Sequence, residues 1–126
     1  MDISIRNYQR GGVTSTSHYN DEAHIRRDQL IRQNGGYGKP ICAVVYDKGH
    51  RNGPEKHILT DNAIIIVQNL MTKRIITTKF ARPGQIRELN GKRDMLNGNR
   101  PFDAYAVPRS VYARAEFYQR NGMNNW

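Results

Sequence analysis

The sequence predicts an α+β domain: a curved antiparallel sheet of three to five strands, flanked by an N-terminal and a C-terminal helix. Three observations predict it. Between residues 40 and 80 the chain passes through a series of short β-branched runs separated by turn residues. Segments of helical apolar spacing lie before and after that block, each closed by a glycine stop signal. No internal repeat and no linker divides the 126 residues, so residues 1–126 read as a single domain.

Residues 1–19, with Gly11-Gly12 and the polar run Thr14-Ser-Thr-Ser-His18, read as an irregular arm. Asn20 can cap a helix whose first turn carries Asp21 and Glu22, the favourable sign for the positive helix end. That helix runs to about Asn34 and stops at Gly35-Gly36. Its apolar positions Ala23, Leu30 and Ile31, with Arg27 alongside, make a narrow stripe, while Arg26 and Arg32 point to solvent or to a ligand. Strands are expected at Ile41–Tyr46, Lys56–Thr60, Ala63–Gln68 and Arg74–Phe80, with a tight hairpin at Asp61-Asn62, residue types that tolerate positive φ. Ala81-Arg-Pro-Gly-Gln85 ends the meander. Residues 90–101 read as a basic Gly/Asn-rich loop. A last helix starts near Pro108, presents Val111, Ala115 and Tyr118 on one face, and ends at Asn121-Gly122. The aromatic residues of that helix are spaced for core packing rather than for stacking on bases.

Charge narrows the class of partner. The chain carries a formal charge of +9, and residues 73–120 hold eleven basic against four acidic residues, so most of the excess falls in one half. Clustered cations are rewarded by phosphates through counterion release, which points to nucleic acid as the partner, and RNA is expected ahead of DNA from the chemistry of its cleavage. A basic surface kept only for solubility is the plainer alternative. Cys42 is a lone cysteine inside the apolar run Ile41-Cys-Ala-Val-Val45, where a thiol packs as a small hydrophobe, and a single thiol fits a reducing compartment. No stretch approaches the roughly 18 apolar residues of a membrane span, and Met-Asp-Ile-Ser-Ile-Arg lacks the apolar core of a signal peptide. A cytoplasmic protein without a membrane partner is expected.

The stretch Asp47-Lys-Gly-His-Arg-Asn-Gly-Pro-Glu-Lys-His57 gathers two of the four histidines with several charges around a Gly-Pro turn. Alternation puts Glu55, His57 and Leu59 on one face of their strand and Lys56, Ile58 and Thr60 on the other. Cleavage of RNA needs a base for the 2′-hydroxyl, an acid for the leaving oxygen and cations for the phosphorane, because the nucleophile belongs to the substrate. His57 and His50 are the candidate base and acid, with a titration range that makes both states accessible. Lys48, Arg51, Lys56, Arg74 and Arg82 are the candidate phosphate clamp, joined by Lys92 and Arg93 of the 90–101 segment. No metal or cofactor is expected: His18 and His24 are six residues apart with no standard ligand geometry, and no cysteine cluster of zinc spacing occurs. Gly35-Gly-Tyr-Gly38 lacks the following Lys-Ser/Thr of a phosphate-cradling loop.

The order of parts, a basic helix, a short sheet carrying Lys48-Gly-His50 and Lys56-His57, and the strand Arg74-Ile-Ile-Thr-Thr78, resembles the small metal-independent ribonuclease superfamily of barnase, colicin D and RelE-like toxins. The stretch from His57, HILTDNAIIIVQNLMTKRIITTKFARPGQI, is similar to small proteins of phages and mobile elements in Gram-positive bacteria. The resemblance implies that His50, His57, Arg74 and Thr78 lie in an active-site groove. A small metal-independent ribonuclease or toxin-like effector is therefore the expected function. A non-catalytic nucleic-acid-binding phage protein is the alternative, and an anti-defence inhibitor docking on an acidic protein surface is a further one. A protein partner, an antitoxin or a host defence protein, fits the first and last of these.

Overall fold

The computed structural model describes residues 22–47, 53–96 and 107–124, with backbone alone for residues 92–96. The elements in chain order are α1 (Glu22–Gln33), β1 (Pro40–Tyr46), β2 (Glu55–Thr60), β3 (Ile64–Asn69), β4 (Ile75–Phe80), α2 (Pro83–Leu96) and α3 (Arg109–Arg120). The strands form one antiparallel meander in the order β1-β2-β3-β4, an open curved sheet with β1 and β4 at its edges. The α+β class and the flanking helices are as the sequence predicts.

Register fixes which residues share a face. One row across the sheet is Val44, His57, Val67 and Thr77; the next is Cys42, Leu59, Ile65 and Lys79; a third joins Tyr46, Glu55 and Asn69. Every residue of the central strand β3 is buried, so both faces of the sheet are covered there. The turn between β2 and β3 takes its positive φ at Ala63 (58°), one residue beyond the expected Asp61-Asn62 pair.

Helix α1 buries His24, Arg27 and Ile31, whereas Ala23 of the expected stripe is exposed. The reason is the surface it meets, the polar edge strand β4. Arg27 Nη1 donates to the carbonyl of Thr78 (2.6 Å), and His24 Nε2 pairs with the Thr77 hydroxyl (3.0 Å). Such bonds satisfy an edge that would otherwise be open to another chain. The helix closes in a Schellman turn, in which Gly36 N–H reaches the carbonyl of Ile31 (2.9 Å) and Gly35 takes φ of 100°.

Helix α2 corrects the reading of residues 90–101 as a loop, because residues 90–96 continue a helix that starts at Pro83. Proline suits the first helical position, and Gln85 Oε1 reaches back to accept the Arg82 N–H (2.9 Å), half of a capping box. Burial of Ile86, Leu89 and Asn90 then outweighs the helix cost of Gly84 and Gly91, roughly 1 kcal/mol each relative to alanine. Helix α3 buries Val111, Ala115 and Tyr118 as expected and sets the Tyr118 ring against Phe80, centroids 4.7 Å apart. It too ends in a Schellman turn, with Gly122 at φ of 67° and Met123 N–H on the Tyr118 carbonyl (2.9 Å).

Candidate functional site

A cleft of about 170 Å³ opens between the sheet and α2, lined by Tyr46, His57, Ile65, Lys79, Gln85, Glu88 and Leu89. Its strand residues all lie on the face that carries His57, and its helix residues keep helical spacing along one side of α2. Ile65 pairs directly with Lys79, so the ammonium rises from the row next to that of the imidazole.

His57 is largely buried and lies under Tyr46, ring centroids 4.4 Å apart and tilted by 58°. Tyr46 pairs with Glu55 across the strands, which makes it the diagonal neighbour of His57. Glu55 Oε1 is 3.3 Å from His57 Nε2. Burial lowers the His57 pKa below the ordinary imidazole value; the Glu55 hydrogen bond opposes this, and the Lys79 charge adds to it. His57 is therefore neutral at neutral pH, its Nε2–H donates to Glu55, and Nδ1 is the basic nitrogen.

Lys79 is also partly desolvated. Its pKa is lowered, first by burial and then by the charges of Arg27 and Arg82, while Glu88 and Glu55 act in the opposite direction. Burial, with Glu88 and Cys42, raises the Tyr46 pKa, so its phenol stays protonated. The cleft therefore brings together an imidazole bonded to a carboxylate and an ammonium, each with its pKa pushed below the ordinary value chiefly by burial.

A second, smaller pocket of about 90 Å³ adjoins the first, lined by Lys79, Phe80, Arg82, Gln85 and Asn124. Lys79 and Gln85 belong to both. The Arg82 guanidinium donates to the backbone carbonyl of Asn124 through Nε (3.0 Å) and Nη2 (2.7 Å).

The sequence-predicted residues separate into groups. His57 lines the cleft, and Arg82 lines the pocket beside it. Lys56 projects from the opposite face of β2, paired with Val45 and Gln68. Arg74 is exposed in the turn before β4. Thr78 pairs with Ile66 and is fully buried on the face opposite His57, so the groove position that the resemblance implies for it is not where the side chain lies. Lys48, His50 and Arg51 fall outside the described residues, as do the side chains of Lys92 and Arg93. Among the described residues no group of three His, Cys, Asp or Glu side chains is placed to hold a metal ion. No helix among them is long and apolar enough to cross a membrane.

Lys79, Glu88, Gln85 and Tyr46 are the cleft residues that sequence reasoning missed. In the sequence Lys79 is simply one position of the strand expected at Arg74–Phe80, and its place in the His57 cleft requires the β3–β4 register, which a bulge between Val67 and Gln68 shifts. In comparisons with known proteins, no family model, curated protein or solved structure matches this chain.

Proposed function

We propose that this chain is a small nucleic-acid-directed protein that cleaves RNA by metal-independent acid–base transfer, with His57 as base and Lys79 as acid. The observation that carries the reading is the pairing of a neutral, Glu55-bonded imidazole with a partly desolvated ammonium in one cleft. In the reaction, His57 Nδ1 takes the proton of the 2′-hydroxyl as that oxygen bonds to phosphorus. The bond from phosphorus to the 5′-oxygen breaks, and Lys79 gives that oxygen its proton. The products are a 2′,3′-cyclic phosphate and a 5′-hydroxyl. Glu55 holds the imidazole in its productive tautomer and stabilises the imidazolium that forms. The positive charge of Lys79, reinforced by Arg27 and Arg82, opposes the charge that grows on the phosphorane.

The exposed cations Arg74, Arg82 and Arg87 supply the attraction for a polyanion and favour the second reading, a non-catalytic binder. The experiment is incubation of wild-type and His57→Ala protein with labelled single-stranded RNA, duplex RNA and DNA in EDTA, read on a denaturing gel beside a native shift. The ribonuclease reading predicts RNA cleavage by the wild type alone, with retained binding by the variant. A salt-sensitive shift with intact strands in both would replace it with the binding reading.

A further inference from the structure

Asn124 is only 6% exposed, yet its side chain is only half satisfied. The Nδ2 group donates to the carbonyl of Ala81 (3.3 Å), while Oδ1 has no hydrogen-bond partner among the described residues. A buried carbonyl oxygen without a donor is costly, and native structures retain such atoms where something else completes them. The pocket it lines abuts the His57 cleft through Lys79 and Gln85. Its remaining polar groups are donors and cations: Gln85 already accepts the Arg82 N–H through Oε1 and so offers a ligand its NH₂, and Arg82 and Lys79 are positive. The first turn of α2 also presents its positive end here.

The fold places Asn124 there by local means. Gly122 turns the chain out of α3, and the two bonds from Arg82 to the Asn124 carbonyl tie that turn to the start of α2. The pocket thus joins an anion-attracting rim to one buried acceptor at a short remove from the His57 and Lys79 pair.

We infer that this pocket is a nucleotide subsite, in which Arg82, Lys79 and the Gln85 amide hold the phosphate side of a nucleotide and Asn124 Oδ1 accepts a hydrogen bond from the exocyclic amino group of its base. The inference rests on reading the neighbouring cleft as a phosphodiester site, and it adds a property that the cleft does not supply, a choice among bases.

The test is a binding titration of the full chain with the 3′-monophosphates of adenosine, cytidine and guanosine, and with purine riboside 3′-monophosphate, whose base has the same shape as adenine but no amino group. At least one amino-bearing nucleotide is expected to bind about fivefold or more tighter than the amino-free one, as for a site whose buried polar group is otherwise left unpaired. In Asn124→Leu that difference is expected to fall below about twofold. Equal binding of all four ligands to the wild type, or discrimination that survives Asn124→Leu, overturns the subsite. The cleavage assay reads separately: discrimination in binding without strand cleavage sustains the subsite and removes the catalytic reading, and cleavage without discrimination does the reverse.

Discussion

At the scale of single residues, the proposed chemistry turns on the environment that the sheet gives His57. Lifted from water and placed under Tyr46, its imidazole is held neutral although Glu55 is in contact with it. Protonation of the folded state is thus disfavoured relative to the unfolded chain. As pH falls from the ordinary histidine value toward the lower folded value, the unfolded chain takes up the proton first and stability is lost. Replacing His57 with Gln removes that contribution, so thermal unfolding of the variant should lose part of its dependence on pH across this window. An unchanged profile would show that burial does not disfavour the charged ring. Gly38 gives a second residue-level prediction. It has φ of 81°, and a Cβ there would run into Asp61 Oδ1 and come within 3.0 Å of the Asn62 backbone N. Gly38→Ala should therefore destabilise by more than about 1 kcal/mol in denaturant titration.

At the scale of elements, Asn62 and Arg114 join three parts of the chain. Asn62 Nδ2 donates to the carbonyls of Asn34 (3.1 Å) and Gly36 (2.6 Å) at the end of α1. Arg114 of α3 reaches Asn62 Oδ1 (3.1 Å) and the Asn34 carbonyl (2.7 Å), while the Tyr118 hydroxyl donates to the Asn62 carbonyl (2.7 Å). Tyr118→Phe keeps the ring on Phe80 and deletes two part-buried bonds, the one its hydroxyl donates to the Asn62 carbonyl and the one it accepts from Arg114 Nε (3.2 Å), so it should cost about 1–3 kcal/mol. Ile58→Ala, which opens a cavity in the sheet core, should cost about 2–5 kcal/mol. The contrast between elements also shows how far sequence periodicity reaches. The β-branched runs of the meander and the Val111, Ala115 and Tyr118 stripe declare themselves by period, because each buries a face against apolar neighbours. Helix α2 is obscured by Gly84, Asn90 and Gly91, residues that locally favour turns, and its stability comes from tertiary burial of Ile86 and Leu89. Its start signals, Pro83 and Gln85, are nonetheless present in the sequence. In α1 the apolar period misleads, since the strand edge it covers calls for His24 and Arg27 rather than Ala23.

At the scale of the whole molecule, the proposed function assigns the attraction for RNA to the excess positive charge and the fate of a bound strand to the cleft. His57 was legible as a candidate from its neighbours in sequence, but its partner was not. Lys79 stands twenty-two residues further along the chain, and only the folded register brings the two side chains to one cleft. Binding should weaken steeply with salt. Arg87→Gln on the exposed side of α2 should lower the magnitude of the log–log salt slope by about 0.7 for single-stranded RNA if that cation meets a phosphate, with little effect on cleavage of bound strands. The decisive measurement is the pH dependence of single-turnover RNA cleavage by wild-type, His57→Ala and Lys79→Met protein. Proton transfer by His57 and Lys79 predicts a bell for the wild type. Its acid limb lies below the ordinary histidine value and its alkaline limb below the ordinary lysine value; the alkaline limb is lost in Lys79→Met, and cleavage falls by about 100-fold or more in His57→Ala. A His57→Ala protein that cleaves at the wild-type rate with the same pH profile would contradict it.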